Sequence, residues 1–116
     1  MIQIDMEFVR GMLFVRLEGI LSKRTSRKLN EVMDKMINEQ GIRYFVINLE
    51  NLVSIDEAGI KIIMDHYFDT IMHDGKLVVC GYDQILRRKV SNEVDLAFQN
   101  IESSNNELGA YKLIHI

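Results

Sequence analysis

Apolar and polar positions alternate from the start of the chain. Ile2, Ile4, Met6 and Phe8 interleave with Gln3, Asp5 and Glu7, and Leu13, Val15 and Leu17 alternate again after Arg10-Gly11. A period of two marks a half-buried strand, so the pattern predicts an antiparallel hairpin opening the domain, with Gly19 ending its second strand. The period then changes. Leu29, Val32, Met33, Met36 and Ile37 share one face of a predicted helix, with Glu31, Asp34, Lys35 and Asn38 on the other. Ser22, Thr25 and Ser26 offer hydroxyls to cap its start, and Gly41 stops it.

Tyr44-Phe45-Val46-Ile47-Asn48-Leu49 is a short continuous run rich in β-branched and aromatic residues, the pattern of a strand buried on both faces. After a turn that includes Ser54, the residues Ile60, Ile63, Met64, Tyr67, Phe68, Ile71 and Met72 line one face of a second helix, whose first turn carries Asp56-Glu57-Ala58-Gly59. Asp74-Gly75 closes it, and Lys76-Leu77-Val78-Val79-Cys80 reads as another buried strand. Strand, helix and strand in this order favour parallel pairing through a right-handed crossover. Ile85, Leu86 and Val90 suggest a short third helix with Arg87-Arg88-Lys89 outward, and Leu96-Ala97-Phe98 a brief edge strand. Ser103 or Ser104 caps a last helix containing Leu108 and Tyr111, although Gly109 weakens it, and Leu113-Ile114-His115-Ile116 suits helix or extended chain. The predicted fold class is α/β: a mixed β-sheet opened by an antiparallel hairpin, with helices packed against it. In such sheets function gathers at the carboxyl ends of the strands, which directs attention to the Asp56–Gly59 junction.

Composition narrows the function. The 116 residues suit one domain with one core, so a single domain over residues 1–116 is expected, and 47% apolar against 27% charged residues is ordinary globular composition. Apolar runs fall far short of the roughly 20 residues of a bilayer-spanning helix, and the start lacks the basic-then-apolar order of a signal peptide. A cytoplasmic protein with no membrane span is expected. A net charge of -3 gives no general attraction to nucleic acid, and no nucleic-acid partner is expected. The single cysteine, Cys80, excludes an internal disulfide and a cysteine-rich zinc site, and reads as a small core residue. Met33, Met36, Met64 and Met72 fall on the predicted core stripes, so packing explains them without a cofactor.

Candidate chemistry is sparse. His66, Asp69 and His73 at i, i+3 and i+7 have a spacing that can present metal ligands, but they lie off the apolar stripe and lack an evident fourth ligand, which favours a solvated helix face. Ile62 falls near that outer side, where an exposed apolar side chain suits a partner contact. Asp56 and Glu57 diverge from a helix start with no nucleophile or phosphate-cradling loop beside them, so no catalytic residue, metal or cofactor is assigned. Lys23, Arg24, Arg27 and Lys28 cluster at the start of the first helix, either as solvated surface or as part of a docking rim.

Nearly the whole chain resembles the STAS domains, in particular the small free-standing bacterial anti-sigma-factor antagonists. The resemblance rests on the opening hairpin, the helix after Gly19, the run from Ile42 to Leu52, the Asp56-x-x-Gly59-Ile60 helix start and the strand Gly75-Lys76-Leu77-Val78-Val79-Cys80. It implies a non-enzymatic regulator of transcription that docks to an anti-sigma factor of the serine-kinase type, through Asp56, Glu57, Ala58, Gly59, Ile60 and Ile62, with Arg24 and Arg27 on the same side of the domain. In that family the residue after the aspartate is typically a serine that the partner phosphorylates. Here Glu57 occupies that position and Ala58 follows it, so neither accepts phosphate. Glutamate imitates phosphoserine in part, with about one negative charge against 1.5 to 2. Glu57 is then either a complement to the helix dipole or the mark of a lost switch, which leaves the protein binding constitutively or held in a phosphorylated-like, non-binding state. The resemblance also admits a STAS subunit of a stress-signalling or transport assembly; a small-ligand or nucleotide sensor at the same rim is the reading from a different class.

Overall fold

The opening alternation forms β1 (Ile2–Val9) and β2 (Met12–Leu21), paired antiparallel with Ile4 opposite Leu17 and Val9 opposite Met12. Arg10 and Gly11 make the connecting turn at φ of 52° and 84°. Two consecutive positive φ angles match the right-handed twist of the paired strands, and glycine adopts them without steric cost. The structure, a computed structural model, describes residues 1–82 and 101–114. The helix expected around Ile85, Leu86 and Val90 with Arg87-Arg88-Lys89, the edge strand expected at Leu96-Ala97-Phe98, and the final His115-Ile116 lie outside the described residues.

The remaining elements are α1 (Ser26–Asp34), continued by a π-helical turn (Lys35–Glu39), β3 (Tyr44–Ile55), α2 (Glu57–Met72), β4 (Lys76–Cys80), β5 (Ser103–Ser104) and α3 (Glu107–Ile114). The described strands form one sheet in the order β1-β2-β3-β4-β5, in which only the β1-β2 pair is antiparallel. The expected mixed sheet with an opening hairpin is therefore present.

Two strands are longer than their patterns suggested. β2 does not end at Gly19 but continues to Leu21, and β3 does not stop near Leu49 but runs to Ile55, so Ser54 lies in a strand, opposite Ile20, rather than in a turn. The reason is a pair of irregularities. Arg16 pairs with Asn48 but Glu18 with Asn51, and Gly19 pairs with Leu52 but Ile20 with Ser54, so β3 carries an extra residue at each step. Each bulge shifts the side-chain alternation by one position. Phe45, Ile47 and Leu49 face the core, and after the bulges Leu52 and Ile55 do so, which breaks the period of two while the strand persists.

The sheet buries side chains on both faces. Leu13, Val15, Phe45, Ile47, Leu77 and Val79 pack with Leu29 and Met33 of α1 and Ile60 and Ile63 of α2. The alternate positions Met12, Phe14, Val46, Val78 and Cys80 face the other way, onto Ala110 of α3. The apolar stripe expected on α2 is only half right. Ile60 and Ile63 are buried, but Phe68, Ile71 and Met72 are exposed, and His66 and Thr70 take the inward positions. Those two polar groups are accommodated by local bonds: the Thr70 hydroxyl donates to the Tyr67 carbonyl at 2.7 Å, and His66 Nε2–H donates to Asn30 Oδ1 on α1 at 3.0 Å. Asp74, at φ 59°, supplies the left-handed residue that ends α2, with Gly75 N–H donating to the Thr70 carbonyl at 2.7 Å.

The tail differs in detail from its pattern. Ser103 and Ser104 form β5 beside β4, and Asn106 caps α3, its Oδ1 accepting the Gly109 N–H at 2.9 Å. α3 is held to its sheet face by polar contacts at both ends. Arg16 grips the Glu107 carboxylate with two N–H groups at 2.7 and 2.8 Å and reaches Glu7 with a third at 2.8 Å. Asn48 also donates to Glu107 at 2.9 Å, and Lys76 donates to the Leu113 carbonyl at 3.0 Å.

Two pH-dependent effects on stability are expected. Arg16, then Asn48, holds the Glu107 carboxyl below the usual carboxylate range against the opposing effect of burial. A depressed carboxylate stabilises the fold above its unfolded pKa of about 4.3 and loses that contribution as pH falls through the lower folded value. Glu107→Gln should cost about 1 kcal/mol at neutral pH, less than a buried charged hydrogen bond because the two side chains keep 39% and 27% of their exposure. Urea denaturation across pH should show the gap from the unmutated protein closing in acid. For His66, burial lowers the imidazole pKa more than nearby Asp69, Asp65 and Asp34 raise it. The unfolded chain therefore takes up the proton first as pH falls below about 6.5, and the fold loses stability there. The same titration on His66→Gln should be flatter between about pH 7 and the folded pKa.

Candidate functional site

β2 and β3 finish level, with Leu21 opposite Ile55, so the chain leaves both strands at the same edge of the sheet and the starts of α1 and α2 lie side by side. Asp56 joins them. Its backbone is extended, its Oδ1 accepts the Gly59 N–H at 2.9 Å and its carbonyl accepts the Ile60 N–H at 3.0 Å, which caps α2. Its other carboxylate oxygen accepts the Lys23 N–H at 3.1 Å, and its own N–H donates to the Leu21 carbonyl at 3.1 Å.

Gly59 is required by proximity. A Cβ there would lie 2.7 Å from the Leu21 carbonyl oxygen, 2.8 Å from Leu21 Cγ and 3.0 Å from Ile55 Cγ1. The first of these is backbone and cannot swing aside, so α2 reaches this depth only with glycine. Asp56 and Glu57 are exposed and Ala58 is half-buried. Among the described residues no ion pair or hydrogen bond holds the Glu57 side chain, and its charge lies in the first turn of α2, where it complements the helix dipole. Ile60, expected at the contact surface, is instead buried in the core and supports the rim from beneath. Ile62 is half-buried against the same core rather than fully exposed.

The start of α1 supplies the opposite charge. Ser22, Lys23, Arg24, Arg27 and Asp56 line an open concavity of about 630 Å³. Thr25 precedes the helix without capping it through its side chain; its hydroxyl donates to the Ile20 carbonyl at 2.7 Å and accepts the Ser22 N–H at 2.8 Å. Lys28 leaves the group, its ammonium donating to the Ile2 carbonyl at 3.3 Å. The basic cluster is therefore Lys23, Arg24 and Arg27 at the concavity, with Lys28 turned toward β1.

His66, Asp69 and His73 do not converge. His66 is 5% exposed rather than on a solvated face, and its Nδ1 has no partner among the described residues. The His73 ring bonds the Asp69 carbonyl at 2.8 Å near the end of α2. Among the described residues no three His, Cys, Asp or Glu side chains are grouped to hold a metal. Burial pushes the Cys80 thiol up to about 12, which leaves it an unreactive core group. The sequence pattern did not disclose the Leu21–Gly59 approach or the Lys23 amide bond to Asp56. A glycine inside a helical pattern, three residues after Asp56, was the one available signal for the first; nothing local encodes the second.

Comparison with known proteins agrees with this architecture. The STAS domain family matches residues 3–105. The chain is 30% identical over 109 residues to the anti-sigma F factor antagonist of Paenibacillus polymyxa, covering 94% of this chain and 92% of that protein. Its fold matches the anti-sigma factor antagonist SpoIIAA in its unphosphorylated form at a TM-score of 0.75 and 13% identity, over 97% of this chain and 98% of that one. It also matches an anti-sigma factor antagonist from Mycobacterium paratuberculosis at a TM-score of 0.80 and 14% identity, over 100% and 96% of the two chains. At those identities the structures speak to the fold and the sequence relative to the lineage, and the two together make this chain a member of the STAS domain family, among the anti-sigma factor antagonists.

Proposed function

We propose that the protein is a non-enzymatic regulator, a single cytoplasmic domain that binds an anti-sigma factor of the serine-kinase type through the rim formed by the starts of α1 and α2, without a serine switch. The observation that carries this reading is Glu57: an exposed carboxylate in the first turn of α2, unengaged by other described side chains, beside a capping aspartate whose two oxygens each accept a backbone N–H. Asp56, Glu57 and Ala58 present the α2 side of the surface, Gly59 and Ile60 set its height, and Arg24 and Arg27 form the α1 side. Ile62 contributes from the flank. With Glu57 at the position of the phosphorylatable serine, charge at the helix start is permanent rather than added by ATP.

Incubation with a serine-kinase-type anti-sigma factor and ATP should leave the start of α2 unmodified, whereas Glu57→Ser should gain phosphate there, read by intact-mass and peptide mass spectrometry. Phosphate on residues 54–60 of the unaltered protein would refute the loss of the switch. Asp56→Ala should lower stability by about 1 kcal/mol through loss of the cap, measured by urea denaturation. Glu57→Gln should change stability by less than that while altering partner affinity in a pull-down, which separates the scaffold role of one acid from the surface role of the other.

A further inference from the structure

The surface around the proposed rim has a charge pattern that specifies the chemistry of what it docks. Four of the chain's 14 Lys and Arg residues fall within residues 23–28, although the net charge is -3. Three of them, Lys23, Arg24 and Arg27, are exposed and line the concavity beside Asp56. Asp56, the one acid in that lining, accepts the N–H groups of Gly59 and Lys23 and forms no ion pair with their side chains, so a single negative charge stands against three positive ones. Among the described residues none of the three cationic side chains forms an ion pair.

The arrangement is also unfavourable to the isolated domain. The first turn of α1 holds no acidic residue and its start has no side-chain cap, so cations gather at the helix end where the backbone dipole is already positive. A local excess of this kind, one acid against three cations among the described residues, suits a surface whose complement comes from outside. Glu57, on the neighbouring helix, carries the opposite sign.

We infer that this concavity receives an acidic segment of the protein partner, with carboxylates meeting Arg24 and Arg27, while Glu57 excludes the same acids from the start of α2 and so fixes their register. The inference rests on the proposed reading of the rim as a protein-docking surface and adds the partner's chemistry to it. Two guanidinium groups favour planar carboxylates through paired N–H donors, and opposed charges across one rim set orientation more than total affinity.

The test uses the full chain, labelled with 15N and followed by two-dimensional NMR. It is titrated separately with a synthetic helical peptide bearing glutamates along one face, with the glutamine counterpart of that peptide, and with inorganic phosphate. The glutamate peptide should shift the resonances of residues 22–27, bind more weakly as salt rises, and lose at least about tenfold in affinity to the double variant Arg24→Glu/Arg27→Glu. That variant changes exposed positions, and its spectrum should otherwise match the unmutated protein. Equal binding of the glutamine peptide, shifts that avoid residues 22–27, or full affinity in the double variant would overturn the inference. So would saturation of the same resonances by phosphate at lower concentration than the peptide, which would assign the concavity to a small oxyanion. No anti-sigma factor is present in the titration, so a negative outcome bears on the acidic complement alone. Failure of the wider reading would show as the absence of any complex with the kinase-type factor.

Discussion

The backbone and carboxylate of Asp56 are the constraint from which the rest of the rim follows. One residue accepts from the first turn of α2, accepts from the loop before α1 and donates to the last residue of β2. Each bond is ordinary in strength, but together they leave the starts of two helices little freedom to separate. Gly59 completes the arrangement by letting α2 approach Leu21 to a distance that any side chain would prevent. A surface made from two helix starts can present charges in a defined relation only if those starts are fixed to each other, and here the fixing groups are separate from the groups that face solvent.

That separation extends through the fold. The α1 and α2 face of the sheet buries a continuous apolar core that sets the height of the rim, whereas α3 covers the opposite face and is attached by the Arg16–Glu107–Asn48 contacts and by Lys76. The two faces share strands but not side chains, because alternate residues of β2, β3 and β4 point opposite ways. His66 makes the α1–α2 packing polar at its bond to Asn30, and its buried imidazole makes that packing sensitive to acid.

The exposed charges divide by helix: Lys23, Arg24 and Arg27 before and within the first turn of α1, Glu57 in the first turn of α2. Negative charge suits the α2 start for dipole reasons alone, so Glu57 costs the fold nothing there. The cations at the start of α1 stand where the helix dipole is already positive and have no such rationale among the described residues. In a STAS protein of the anti-sigma factor antagonist lineage, that difference separates a residue that local physics already favours from exposed cations that form no ion pair among the described residues.

Much of this was legible from residue order. The hairpin, the two amphipathic helices, the parallel pairing of β3 and β4 across α2, the acidic start of α2 and the bounds of β4 follow from periods of two and 3.6, from glycine positions and from the handedness of crossovers. The tertiary structure decided what depends on distant neighbours. Whether β3 ends at Leu49 or continues to Ile55 depends on pairing with β2, because bulges disguise a strand whose partner still holds it. Which face of α2 turns inward depends on how the helix rolls against the sheet and α1, which buries His66 and Thr70 and leaves Met72 82% exposed. The side of the sheet that α3 covers, the grip of Arg16 on Glu107 across 91 positions and the bond from Asp56 to Lys23 across 33 are contacts that no local pattern encodes. Residue order determined that an acidic helix start would stand at the end of a strand, and the family resemblance put a cationic helix start on the same side; only the fold joined the two, through the bond from Lys23 to Asp56.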